Sequence, residues 1–166
     1  MKKVLIIGCP GSGKSTFGRT LSSVTALPLY HLDMMFWNAD KTTVSREILI
    51  GRIQNVMNNS EWIIDGNYSS TMEMRLKECD TVFFLDYPTS VCIEGVKCRK
   101  GVLRSDMPWV EENDDEEFIK YVKEFNIKNR PEVIGLLNKY SSKNIIIFHS
   151  REESQRFISS LKSKLL

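Results

Sequence analysis

The stretch Val4-Leu5-Ile6-Ile7-Gly8-Cys9-Pro10-Gly11-Ser12-Gly13-Lys14-Ser15-Thr16 runs an apolar segment straight into a glycine-rich turn, and from Gly8 onward it fits G-x-x-x-x-G-K-[ST]. That spacing is the phosphate-cradling Walker A loop, and each residue type has a physical reason. Glycines let the backbone wrap and aim successive N–H groups at phosphate oxygens, while the helix that follows offers its positive end. The expected cradle is Gly8, Pro10, Gly11, Ser12, Gly13 and Thr16, with Lys14 reaching the β- and γ-phosphates of a nucleotide and the Ser15 hydroxyl holding Mg²⁺. The motif requires a strand before it and a helix after it. Val4 to Ile7 supply the first, and Phe17, Leu21 and Val24, which share one helical face, supply the second.

Outward from this loop the pattern repeats. Short apolar runs are expected as strands at Lys3 to Gly8, Pro28 to Leu32, Glu61 to Asp65, Thr81 to Asp86 and Asn144 to His149, each apolar on both faces, and helical patterns lie between them. This alternation predicts an α/β fold with a parallel sheet covered by helices on both faces. The second helical stripe is expected to use Val44, Ile48, Ile53 and Met57; Phe118, Tyr121, Val122 and Phe125 begin a long helix that Pro131 should kink or split; and Phe157, Ile158, Leu161 and Leu165 mark the last one. The acidic run Glu111 to Glu117 coincides with a helix start, where Asp114-x-x-Glu117 fits a capping box, which explains it better than metal binding does.

With 166 residues, the chain is expected to form one domain, 1–166. A net charge of +2 supplies no field for nucleic acid or membrane, which argues against DNA as a partner. The sequence has no targeting segment and no run long enough to span a bilayer, so the expected compartment is the cytoplasm. Cys9, Cys79, Cys92 and Cys98 have neither C-x-x-C spacing nor neighbouring histidines, and are expected as reduced, mostly buried thiols.

In an open parallel sheet ligands sit at the carboxyl ends of the strands, so the residues that end strands deserve the closest reading. Asp65, closing Trp62-Ile63-Ile64-Asp65, is the chosen carboxylate for ordering Mg²⁺ through its waters; Asp86, after Val82-Phe83-Phe84-Leu85, competes, although it leads directly into a helix. Asp33 follows the second strand and is suited to accept a proton from an acceptor hydroxyl, with Phe36 and Trp37 beside it to line a pocket. His31 and His149 read as satisfied strand residues. A transferred phosphoryl needs further cations, and Arg99, Arg104 and Arg130 are the candidates. The first two lie in Arg99 to Trp109, a basic segment broken by Gly101 and Pro108 that suits a flap over the phosphates.

Taken together, the loop Gly8 to Thr16, Asp33, Asp65-Gly66-Asn67-Tyr68, Leu85-Asp86-Tyr87-Pro88 and the later Arg99 resemble the adenylate-kinase-like group of P-loop kinases, which includes shikimate-kinase-like and small nucleoside-kinase-like enzymes. Their order looks most like that of bacterial proteins labelled topology-modulation proteins. The resemblance implies a three-layer P-loop NTPase fold with a five-stranded parallel sheet in the order 2-3-1-4-5, a substrate-side helical segment at about 34–59 and a short lid at about 99–113. It also implies ATP as donor, with part of the base near Ser150-Arg151-Glu152, so Arg151 joins the expected nucleotide contacts. Long-lid relatives can carry a four-cysteine zinc site, which this lid lacks. Two arginines with which adenylate kinase holds its acceptor's phosphate are replaced here by Phe36 and Ser69, which favours an uncharged hydroxyl acceptor; the residue that stacks on adenine is replaced by Gly95, which leaves the base preference open with ATP as the default donor.

The expected function is an ATP- and Mg²⁺-dependent transfer of the γ-phosphoryl to a hydroxyl of a small molecule, nucleosides and nucleotides included. The alternative is an ATP-binding regulator with slow hydrolysis that affects DNA topology or gene expression, against which stand the near-neutral charge and the absence of a helix-turn-helix or basic arm. A GTPase is disfavoured because Asn138-Lys139-Tyr140-Ser141 lacks the aspartate of a guanine-binding motif.

Overall fold

The computed structural model describes residues 1–113 and 115–165. Strand β1 (Lys3–Gly8) leads through the glycine loop into α1 (Lys14–Thr25), followed by β2 (Leu29–His31), α2 (Leu32–Phe36), α3 (Arg46–Met57), β3 (Trp62–Asp65), α4 (Ser69–Glu78) and β4 (Thr81–Leu85). The chain then forms α5 (Thr89–Cys98), α6 (Glu116–Lys128), α7 (Arg130–Lys139), β5 (Asn144–Phe148) and α8 (Arg151–Leu165). The five strands are all parallel and lie in the order β2-β3-β1-β4-β5.

Alternation along the central strands sorts the core into two layers. Leu5, Ile7, Trp62, Ile64, Val82 and Phe84 face one side and pack with Leu49 and Ile53 of α3, Leu76 of α4 and Leu137 of α7. Val4, Ile6, Ile63, Phe83 and Leu85 face the other and meet Phe17 and Leu21 of α1, Cys92 of α5, Phe125 of α6 and Ile158 of α8. Burying both faces of β1, β3 and β4 explains why these strands are apolar throughout. Register pairs Ile6 with Asp65 and Gly8 with Leu85, so the carboxyl ends of the central strands finish along one edge of the sheet.

Three expectations need correction. Ile48 is half exposed, and the buried stripe of α3 is Leu49, Ile53, Val56 and Met57. The Ser45 hydroxyl caps the helix by accepting from the Ile48 N–H, so the helix begins at Arg46 and Val44 lies before it, which sets a different phase. β5 is apolar but not buried on both faces, because it closes the sheet and only Phe148 is fully covered. At the start of α6 the cap is Asp115, whose carboxylate accepts from the Phe118 N–H; the capping box read at Asp114 rests on a residue outside those described. Pro131 does split the long helix, standing in the first turn of α7 after the break at Asn129. Phe157, Ile158 and Leu161 of α8 do pack on the core, and the side chain of Leu165 lies outside those described.

The amino terminus is tied down by Asp80, whose carboxylate accepts from the Lys2 N–H at 2.7 Å, the Lys3 N–H at 2.9 Å and the Thr81 hydroxyl at 2.6 Å. Partial burial pushes its pKa up, but these bonds outweigh it and hold the group below the ordinary 3.8. A depressed folded pKa contributes stability above the unfolded value and loses it as pH falls through the folded value. Melting temperature measured against pH should therefore drop below about pH 4, and Asp80→Asn should be less stable at neutral pH and lack that part of the acid slope.

Candidate active site

The loop between β1 and α1 takes its shape from glycine. Gly13 precedes α1 with φ 93°, and Gly11, at φ 83°, lies so close to α5 that a Cβ there would fall 2.0 Å from the carbonyl oxygen of Cys92. Lys14 curls back over the loop, donating from Nζ to the carbonyls of Gly8 (2.9 Å) and Cys9 (3.2 Å). Burial lowers its pKa, opposed by the charges of Asp65 and Asp33. The Ser12 hydroxyl is buried with no hydrogen-bond partner among the described residues.

A second layer holds this loop to the end of β3. Asn67 clamps Gly8 from both sides, accepting from its N–H at 3.0 Å and donating to its carbonyl at 2.6 Å. Arg75 of α4, fully buried, holds the turn carrying Asn67: its guanidinium donates to the carbonyls of Gly66 (2.8 Å), Tyr68 (3.1 Å), Thr71 (3.3 Å) and Asn67. This fixes Tyr68 at φ 35°, a left-handed conformation that is unfavourable for a non-glycine residue. The Tyr68 hydroxyl donates to Asp33 Oδ1 at 2.6 Å. Burial raises the pKa of Asp33, and the bond from Tyr68 and the charge of Lys14 only partly oppose that rise.

Opposite the loop, segment 99–113 brings its own charges. Arg99 Nε stands 3.3 Å from Glu111 Oε2, and Arg104 is 3.6 Å from the same oxygen and 3.8 Å from Asp106 Oδ2. Arg99 Nε and Arg104 Nη2 are buried and make no hydrogen bond among the described residues, so both face Glu111 at ion-pair distance only. Arg99 also lies over the Phe118 ring, 5.6 Å from its centre.

Loop, sheet edge and segment 99–113 enclose one cavity of about 1440 Å³. Pro10 to Thr16, Asp33, Arg99, Arg104 and Arg151 all line it. One end is bounded by Arg151, Gln155 and Ile158 of α8; the other holds Phe36, Trp37, Tyr68 and Trp109, with ring centres 5.1 Å apart in edge-to-face pairs. Gly95 lies against the phosphate loop and the Arg151 guanidinium, where a Cβ would be 2.0 Å from the carbonyl oxygen of Gly11.

The structure does not bring Arg130 into the cavity. Its guanidinium is locked on Asp86 through Nε at 2.7 Å and Nη2 at 2.8 Å, a bidentate match that uses both carboxylate oxygens, with His149 3.6 Å from one of them. Asp65 differs: Oδ1 meets His31 Nδ1 at 2.9 Å, while Oδ2 is buried and has no hydrogen-bond partner among the described residues. Sequence reasoning missed Arg75 and Asp106. A buried arginine on a helix is spelled like a surface one, whereas Asp106, two residues from Arg104 in a basic segment, carried a readable charge signal.

The sequence matches no protein-family model and no curated protein. Among solved structures, shikimate kinase from Bacteroides thetaiotaomicron superposes with a TM-score of 0.57 over 98% of this chain and 96% of that one, at 17% identity. The fold is that of the P-loop NTPases. Such a fold implies a nucleotide and Mg²⁺, and the residues fit both. The glycine cradle leaves room only for backbone at Gly11, the Ser15 hydroxyl lies in the first turn of α1, and Asp65 presents a buried oxygen that lacks a partner. Among the described residues no helix is long and apolar enough to cross a membrane, and all four cysteines are free thiols.

Proposed function

We propose that this chain is an ATP- and Mg²⁺-dependent phosphotransferase that moves the γ-phosphoryl of ATP to a hydroxyl of an uncharged small molecule, in one catalytic domain with a substrate-side segment at 34–59 and a lid at 99–113. The observation that carries this reading is the pairing, across one cavity, of Lys14 on the phosphate loop with the half-buried Asp33–Tyr68 couple, the carboxylate and the ammonium feeling each other's charge. A phosphate-binding cation facing a carboxylate of raised pKa is what proton removal from a hydroxyl during phosphoryl transfer requires.

In this mechanism the loop N–H groups and Lys14 hold the β- and γ-phosphates. Ser15 and, through water, Asp65 hold Mg²⁺, which when bound neutralises phosphate charge. Asp33 orients the acceptor hydroxyl and takes its proton, with Tyr68 fixing the carboxylate by its hydrogen bond to Oδ1. Arg99 and Arg104 supply the planar donors for charge on the transferred group. Arg151 borders the end of the cavity assigned to the base. The aromatic residues at the far end offer an acceptor apolar ring faces, and Arg75 does not line the cavity: it is fully buried and commits four of its five N–H donors to backbone carbonyls.

The test is ADP release from MgATP against nucleosides, nucleotides and small hydroxyl compounds, with water as control. Acceptor-dependent ADP is expected; slow release indifferent to every acceptor would transfer the assignment to an ATP-dependent regulator. Asp33→Asn should retain ATP binding and lose about 10²- to 10⁴-fold of the acceptor-dependent rate. The wild-type rate should decline on the acid side at a pH above the ordinary carboxylate value of 3.8.

A further inference from the structure

Segment 99–113 has no regular secondary structure around residue 106, yet it buries a carboxylate: Asp106 is only 4% exposed. Burying a carboxylate is costly unless cations or donors repay it. Arg19 donates to Asp106 from Nη1 at a long 3.5 Å, Arg104 Nη1 stands 3.8 Å away, and the Ser15 hydroxyl is near enough to help hold its pKa down. These groups more than offset the burial and hold the carboxyl below its ordinary range, so the lid carries an ionised carboxylate into the cavity beside the serine of the phosphate loop.

His31 connects this charge to a second one. Its imidazole bonds Asp65 Oδ1 at 2.9 Å and also feels the field of Asp106, so Asp65 and Asp106 act on one ring from two elements far apart in the chain. The other Asp65 oxygen is buried without a partner among the described residues. One hydroxyl and two buried carboxylates, one of them with an oxygen to spare, therefore converge on the first turn of α1. No three His, Cys, Asp or Glu side chains among the described residues form a closed cage. Mg²⁺ does not need one: it keeps several waters and takes one or two carboxylates together with substrate phosphates.

We propose that Asp106 is a positioning residue of the magnesium site, through which the ion bound with the nucleotide at Ser15 holds the lid down over the phosphates. The proposal rests on the reading of the cavity as a MgATP site but not on transfer to an acceptor. With the ion bound, Asp106 would hold its waters from the lid and Asp65 from the sheet, so that an ionised carboxylate on each element ties the lid to the phosphate loop. Lid closure then depends on the metal and not on the nucleotide alone.

The test compares ADP affinity by calorimetry in EDTA and in saturating MgCl₂, and hydrogen exchange at residues 101–111 in both media. In the wild-type protein, ADP with Mg²⁺ should protect the lid and ADP with EDTA should not; equal protection in both overturns the proposal without recourse to any variant. Asp106→Asn should bind ADP in EDTA as the wild type does and lose about 10- to 100-fold of the tightening that Mg²⁺ confers, the range for groups that order metal ligands. Equal weakening in the two media would make Asp106 a strut of the lid and overturn the proposal, as would an unchanged magnesium effect. If ADP does not bind at all, both readings fall. If magnesium-linked binding and protection are present but no acceptor is phosphorylated, the role of Asp106 stands and the transferase assignment falls.

Discussion

Lys14→Met is expected to lower phosphoryl transfer by about two to three orders of magnitude, the usual loss when one preorganised donor to a charged transition state is removed. Lys14 carries the ammonium that stands on the loop, held to the carbonyls of Gly8 and Cys9. The fold should survive, because two terms oppose each other. Methionine gives up two hydrogen bonds from a charged donor, about 1.5–3 kcal/mol each, and it also removes a cation whose desolvation costs several kcal/mol. Burial lowers the pKa of Lys14, and the charges of Asp65 and Asp33 only partly offset that. Rate assays paired with a melting curve would separate the two effects: a variant that still melts cooperatively but retains full turnover would remove Lys14 from the chemistry.

The second large effect is on stability. Arg75→Met should cost about 3–5 kcal/mol, because the carbonyls of Gly66 and Asn67 lose their donor in a place water reaches poorly, at about 1–3 kcal/mol for each one left unmet, while that of Tyr68 keeps the Thr71 N–H and hydroxyl and that of Thr71 lies within α4. In a protein of this size the melting temperature should fall by roughly 10 °C or more. Arg75→Lys should not rescue it, since a single ammonium cannot reproduce a planar fork spread over adjacent carbonyls. The loss should reach the site as well. Tyr68 is held at φ 35° by these bonds, and once released its hydroxyl no longer steadies Asp33. Denaturant melts together with the acceptor-dependent rate would show both losses; a variant as stable as the parent would mean that water replaces the guanidinium.

How much of this was legible depended on whether the signal was local. The glycine loop, the five strand positions and the break at Pro131 are each written in a few adjacent residues, and each is present within a residue or two of where the pattern puts it. The strand order is not written that way and came only through resemblance. Ile48 was misplaced because the phase of a helix is set by its cap, here Ser45, and not by the apolar residues alone. Arg130 was directed to the cavity on chemical type, whereas its position was decided by Asp86, a carboxylate 44 residues away in sequence. Arg75 was overlooked for the converse reason, since nothing adjacent to it announces a buried charge, whereas the acid at Asp106 was legible beside Arg104 and only its burial was not.

The contact of Gly11 with α5 has a consequence for how this protein tolerates change. A Cβ on Gly11 would strike the Cys92 carbonyl and a Cβ on Gly95 would strike the Gly11 carbonyl, so the floor of the cradle is main chain resting on main chain. The cradle therefore takes its height from the path of α5 and not from the identity of that helix's side chains. Residues of α5 that face away from the loop are free to drift through many sequences without moving the phosphates, while these two glycines are coupled: neither can be exchanged, and replacing one cannot be compensated by replacing the other.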